Sequence, residues 1–233
     1  MNPWFEFAGV DSRTAGLWIS SLPAIQRPLE RVEKVDIYGR AGSLHLLEDN
    51  DIYEEYRKDC KVLARADADF GYLLKWLRGY GDLIFSNEPD RRYLARIDEA
   101  VVFEKWSNDL LEAEIKFTVH PFKRDVYDIQ PITPASGDSI YNPGDIICRP
   151  AITMTGTGNL VLTIGDMEIT VAADTENTGT YTLDCAAEFC TDGNGANASG
   201  LVTGTYPVLK PGANTVTWSG AESVSIEPVW YYL

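Results

Sequence analysis

Residues 160–171 read Leu160-Val161-Leu162-Thr163-Ile164-Gly165-Asp166-Met167-Glu168-Ile169-Thr170-Val171. A two-residue Gly165-Asp166 turn folds this stretch into a hairpin, because glycine supplies the positive φ that such turns require. Folding there sets Ile164 against Met167, Leu162 against Ile169 and Leu160 against Val171, so one face is wholly apolar. The other face carries Thr163 against Glu168 and Val161 against Thr170 and is mostly polar. Register and turn chemistry agree, since a slip of one residue would throw every apolar side chain into water. The same alternation runs through Leu111-Glu112-Ala113-Glu114-Ile115-Lys116-Phe117-Thr118-Val119, a strand with one buried and one wet face. Near the end, Trp218, Val224, Ile226 and Trp230 sit among alternating polar residues, after a Pro211-Gly212 turn.

One segment has a helical period instead. Asp67 can cap a helix over 68–78, with Phe70, Leu73, Leu74 and Leu77 on one face, and Gly79 and Gly81 can end it. Strands are expected at 82–85 and 92–103, either side of the turn-rich Ser86-Asn87-Glu88-Pro89-Asp90. Between Gln130 and Gly144 the pattern dissolves into Pro, Ser, Gly and Asn, as a linker or a long surface crossing does. Beyond it Thr and Gly rise and helical periodicity is absent. The expected fold is mainly β, in two domains: a β-rich N-terminal one with one helix, residues 1–134, and a C-terminal β-sandwich, residues 135–233.

The charge narrows the function. Asp+Glu is 35 against Lys+Arg 20, a net −15 over 233 residues, opposite to what a phosphate grip or an anionic membrane surface requires. From Ala135 onward 11 acids face only Arg149 and Lys210. The start, Met1-Asn2-Pro3-Trp4-Phe5-Glu6, has neither the basic nor the apolar region of a secretory signal, and no stretch is long and apolar enough to span a bilayer. A cytosolic origin is expected, and Cys60, Cys148, Cys185 and Cys190 are expected as reduced, buried residues.

A search for reaction chemistry returns little. Gly39-Arg40-Ala41-Gly42-Ser43 lacks the spacing of a phosphate-cradling loop. Asp192-Gly193-Asn194-Gly195-Ala196-Asn197 begins like a calcium loop, but Ala196 stands at a ligand position and no bidentate Glu follows. Cys185 and Cys190 have no second pair or nearby histidine to complete a zinc site. Glu112 and Glu114 lie on a wet strand face, and Glu48, Asp49 and Asp51 belong to a solvated acidic loop. His45 and His120 carry no local signature of a triad. No catalytic residue, cofactor site or metal site is assigned.

Several stretches, in order, resemble the siphophage distal tail proteins. They are Phe7-Ala8-Gly9-Val10-Asp11-Ser12, Gly39-Arg40-Ala41-Gly42-Ser43-Leu44, Trp76-Leu77-Arg78-Gly79 and Ile84-Phe85-Ser86-Asn87-Glu88-Pro89-Asp90-Arg91. The second half adds Asn142-Pro143-Gly144, Arg149-Pro150, Leu209-Lys210-Pro211-Gly212-Ala213-Asn214-Thr215-Val216 and Trp230. The resemblance implies a ring, typically of six subunits, closed mainly by the first domain, with a galectin-like sandwich outside. Such a ring joins the tail tube, tape-measure and tail-tip proteins at the virion tail tip or baseplate hub. It is assembled in the bacterial host cytoplasm from a phage or prophage gene and passes DNA without binding it specifically. Part of the acidic excess is then expected to face the channel. The chain has no room for the inserted carbohydrate-binding domain of some members, so it resembles the minimal form. Its second half has no His and one Arg, unlike a sugar-reading galectin.

The loops that core packing does not explain supply the expected subunit contacts: Arg40, Gly42, Phe85, Asn87, Pro89 and Arg91. The alternative reading is a carbohydrate-binding module for host recognition, its sugar stacked on Trp218, Trp230, Tyr231 and Tyr232.

Overall fold

The computed structural model describes residues 2–39, 41–42, 44–46, 52–127 and 129–233. The chain divides into two compact units, Met1–Val126 with Leu233, and Tyr127–Tyr232. The first comprises β1 (Phe5–Phe7), β2 (Val10–Asp11), β3 (Leu17–Ser21), β4 (Glu33–Val35), β5 (Leu44–Leu46), β6 (Tyr56–Arg65), α1 (Phe70–Trp76), β7 (Gly79–Phe85), β8 (Arg91–Ile97), β9 (Glu104–Lys105) and β10 (Leu110–Asp125). Its main sheet runs β2-β1-β7-β8-β10-β6-β3, all pairs antiparallel.

The alternating stretch at 111–119 is the middle of β10, the sheet's longest strand. Ala113, Ile115, Phe117 and Val119 are buried, and β6 pairs with the strand from Leu110↔Arg65 to Val119↔Tyr56. Pro121 has no N–H to give a ladder, and the β10–β8 register shifts between Val119 and Lys123, around it. Under the sheet, Phe117 meets Phe5, Phe7 and Phe85 at ring-centroid distances of 5.6, 5.5 and 5.9 Å. Such tilted and edge-on pairs add about 0.5–1.5 kcal/mol each beyond the area they bury.

The helix is shorter and differently phased than expected. Asp69, not Asp67, caps it, accepting the Tyr72 N–H at 2.9 Å. Asp67 is engaged by Arg65. Leu73 and Leu77 are buried, but Leu74 is 46% exposed, and Trp76 takes the inward place. Its indole stacks on Phe5 (5.8 Å, 12°) and donates to the Phe7 carbonyl at 2.9 Å. The strand expected over 92–103 stops at Ile97. Past Asp98-Glu99-Ala100 the chain turns Val101 and Phe103 back onto the core, with Phe103 edge-on to Phe70 at 5.1 Å.

The second unit holds β11 (Ser139–Asn142), β12 (Ala151–Ile164), β13 (Met167–Ala172), β14 (Gly179–Asp184), β15 (Phe189–Asp192), β16 (Val202–Gly204), β17 (Gly212–Glu227) and β18 (Tyr231–Tyr232). Here 160–171 forms the expected hairpin pair for pair: Leu160↔Val171, Leu162↔Ile169, Ile164↔Met167. Gly165 takes φ +62 at the turn. Long β12 and β17 run through both layers of a sandwich. One end of β12 pairs with β14 and the other with β13, while β17 flanks both ends. The register breaks between Thr155 and Val161, where Gly220 at φ +75 lets the backbones close; a Cβ there would lie 2.1 Å from the Asn159 carbonyl oxygen. Ile152, Met154 and Leu183 of one end share a core with Leu162, Ile169 and Val216 of the other. Residues 127–134 belong to this unit: Ile132 exchanges both backbone hydrogen bonds with Ile226 at 2.8 Å.

Candidate assembly surface

Two inward positions in the first unit are occupied by charge. Lys58 lies in phase with buried Cys60, Val62 and Ala64 on β6, and Lys123 in phase with Phe117 and Val119 on β10. Glu88, from the turn between β7 and β8, answers both. Its Oε2 accepts Lys58 Nζ at 3.0 Å and its Oε1 accepts Lys123 Nζ at 3.1 Å, with side-chain exposures of 9% for Glu88, 0% for Lys58 and 10% for Lys123. The Tyr93 hydroxyl also donates to Oε2, at 2.5 Å. Burial pushes the Glu88 carboxyl upward, but the Tyr93 hydroxyl and the two ammoniums outweigh it and hold it below the usual range. Burial lowers the Lys58 ammonium despite Glu88. Desolvation, and then the Glu88 charge, raise Tyr56 nearby to about 12. Lys58 Nζ also stands 4.6 Å from the Tyr93 ring centroid, a cation–π contact that helps two cations coexist with one carboxylate.

The cluster explains the loop that carried the interface expectation. Phe85 has no exposed surface and packs on Tyr93 and Phe117, so it cannot touch a second copy and leaves the candidate set. Asn87 is half-buried and its Nδ2 donates to the Pro23 carbonyl at 3.0 Å. Arg91 is half-buried and ion-paired with Asp125. Pro89 and Gly42 are exposed. Arg40 lies outside the described residues, as do Glu48, Asp49 and Asp51.

What sequence reasoning missed is the excursion at 22–55, between β3 and β6. Its legs are tied by Arg31 N–H to the Ile52 carbonyl and Glu54 N–H to the Leu29 carbonyl, both 2.9 Å, and farther out by the β4–β5 pair. Among the described residues, none between Ile19 and Cys60 is a buried member of the core. Yet Ile25, Leu29, Ile37, Tyr38 and Ile52 are exposed, Leu29 at 72%. Exposed apolar side chains gathered along one segment make it a candidate for contact with another surface. The available signal was Leu22-Pro23-Ala24-Ile25-Gln26-Arg27-Pro28-Leu29, apolar residues with neither strand nor helix period, punctuated by proline.

Reaction chemistry has little to work with. No group of three His, Cys, Asp or Glu able to hold a metal occurs among the described residues. All four cysteines are buried and free, and burial raises Cys60 and Cys185 to about 12 and Cys148 to about 11. Asp192 Oδ1 is taken by the backbone N–H groups of Asn194 and Ala196. A groove of about 430 Å³ lies beside β10, lined by Lys61, Glu99, Val102, Trp106, Glu112 and Lys116. Lys116 and then Arg57 hold Glu99 below the usual carboxylate range, the reverse of what a general acid needs. Of the aromatics proposed to stack on sugar, Trp230 is buried in the sandwich core, and half-buried Trp218 donates its indole N–H to the Pro134 carbonyl at 3.2 Å.

No family model and no curated protein matches the sequence. Among solved structures the chain is similar to SPP1 Dit (gp 19.1), described as a paradigm of hub adsorption apparatus in phages infecting Gram-positive bacteria. The TM-score is 0.79 at 16% identity, over 100% of this chain and 100% of that one. At that identity the likeness is one of fold, and the fold is the mainly β one that the sequence motifs implied.

Proposed function

We propose that this protein is a structural, non-enzymatic component of a phage tail tip. It closes into a ring of six and connects the tail tube to the tip or baseplate proteins. The observation that carries the reading is the end-to-end likeness to SPP1 Dit, which covers both units without remainder. The first unit is the ring-forming one: it holds the excursion at 22–55, along which Ile25, Leu29, Ile37, Tyr38 and Ile52 are exposed. A ring requires a heterologous contact whose rotation closes, and a projecting arm suits that role. Gly42 and Pro89 stay at the surface that meets a neighbour, with Arg40, Asn87 and Arg91 close to them in sequence. The partners are further copies of the chain and the tube, tape-measure and tip proteins of the virion. The net charge of −15 suits a channel past which DNA slides without sticking.

Light scattering on the purified chain, alone and mixed with its tail-tube partner, together with negative-stain imaging, tests the reading. A particle of about six chain masses with annular views is expected. A strict monomer under both conditions overturns it.

A further inference from the structure

The buried charges at Lys58, Glu88 and Lys123 do more than fill space. A cluster of this kind is a poor stabiliser, because desolvating each ion is costly and apolar residues of equal volume do as well or better. What apolar residues cannot supply is direction. Lys58 Nζ reaches past Glu88 to the carbonyl oxygen of Ala24 at 3.3 Å. Asn87, the residue before Glu88, holds the Pro23 carbonyl at 3.0 Å, and Gln26 Nε2 donates to the Arg57 carbonyl, next to Lys58, at 3.1 Å. Three ties, at Pro23, Ala24 and Gln26, therefore fasten the outgoing root of the arm to the cluster, to the turn beside it and to the strand that bears Lys58. The returning root is held as well, with Tyr53 edge-on to Phe122 at 5.5 Å, one residue before Lys123. Glu88 thus joins β6, β8 and β10 through Lys58, Tyr93 and Lys123, at the point where both legs of the arm enter the domain.

We propose that the Lys58–Glu88–Lys123 cluster is the positioning element of the 22–55 arm, fixing its exit direction so that it meets a second copy already ordered. Pre-ordering removes an entropic cost that a free arm would meet on binding. The assembly half of this statement rests on the ring reading; the clamping half does not.

The test is hydrogen exchange on the full chain, comparing wild type with the triple variant Lys58→Met/Glu88→Leu/Lys123→Met, which removes the charges and roughly keeps the volume. Arm amides, Arg31 and Glu54 among them, are expected to exchange at least about tenfold faster, while Val62 and Ile115 in the sheet stay within about twofold. An unchanged arm overturns the proposal. So does uniform acceleration across the first unit, which would mean a merely structural role. Should the triple variant fail to fold, Asn87→Ala leaves the charges intact and cuts one tie; faster arm exchange supports the clamp and unchanged exchange overturns it. Ring formation is read on the same samples. A loosened arm with undiminished ring yield overturns the assembly half. A wild-type chain that never forms rings sinks the ring reading alone, because the exchange data still decide the clamp.

Discussion

Replacing Asn142 by alanine removes one buried amide that holds three pieces of backbone. Its Nδ2 donates to the carbonyls of Ile146 (3.1 Å) and Leu209 (3.0 Å), and its Oδ1 accepts the Gly144 N–H at 2.8 Å. The Leu209 carbonyl keeps a second donor, the Cys148 N–H at 2.9 Å, so truncation does not orphan it. The Ile146 carbonyl and the Gly144 N–H, both in buried residues, have no such reserve among the hydrogen bonds that bind this turn. An unsatisfied buried group costs about 1–3 kcal/mol, so two cost about 4, and water entering the vacated space brings the expected loss to about 3 kcal/mol. A unit of about a hundred residues loses roughly 4–8 °C per kcal/mol, which places the drop at roughly 12–24 °C. Differential scanning calorimetry of the full chain reads it. Tyr141→Ala, one residue away on the exposed face, is the comparison and should cost no more than about 0.5 kcal/mol. A drop under about 4 °C for Asn142→Ala refutes the claim that this amide holds the turn closed.

Three further outcomes follow from the structure. Gly220→Ala sets a Cβ 2.1 Å from the Asn159 carbonyl oxygen at φ +75, and is expected to cost about 2 kcal/mol or more by urea unfolding. The Glu88 carboxyl is held below its ordinary 4.5, so its contribution is present above that value and is lost as pH falls through the lower, folded-state one. The urea midpoint should therefore fall between about pH 5 and pH 3, and Glu88→Gln should flatten that slope; equal slopes in both proteins count against the buried ion pairs. Finally, the four buried thiols, Cys60, Cys148 and Cys185 pushed up to about 11–12, should resist a thiol-reactive disulfide in the native chain and all react in concentrated guanidinium. Rapid native labelling of any of them contradicts the burial.

What was legible in the sequence was local. The hairpin at 160–171 carries its register in its alternation and its turn in Gly165-Asp166, and nothing distant is needed to choose between slips. Strand β10 is legible for the same reason. The helix phase was not, because Phe70, Leu73, Leu74 and Leu77 fit one face as well as Phe70, Leu73, Trp76 and Leu77 do. What decides between Leu74 and Trp76 is the Phe5 ring and the Phe7 carbonyl, some seventy residues away in the chain. The buried cluster did leave a trace: Lys58 and Lys123 each fall on the inward phase of a strand, where a lone ammonium is untenable. The trace says that a carboxylate must answer them, but not that Glu88 in a distant turn is the one.

Four of the motifs that carried the family resemblance bring a polar side chain into a turn. Ser12, Lys58, Lys123, Asn142 and Asn214 are the buried polar side chains among the described residues. Ser12 ends the first motif and accepts the Phe5 N–H at 3.1 Å. The two lysines hold Glu88 of the Ile84-to-Arg91 motif. Asn142 opens the Asn142-Pro143-Gly144 motif, and Asn214 in the Leu209-to-Val216 motif closes the turn at Lys210 and Gly212 through three hydrogen bonds. At Ser12, Glu88, Asn142 and Asn214 the chain turns and a side chain meets backbone or charge. Few residue types can do that, whereas the strands between such joints need only an alternating pattern. A fold can be shared end to end at 16% identity when most of its strands ask for so little. Phe85 and Asn87 look like surface loop residues because core periodicity does not explain them, whereas they are held by the joint itself. The exposed apolar side chains of the arm, Ile25, Leu29, Ile37, Tyr38 and Ile52, belong to none of these motifs and to neither core.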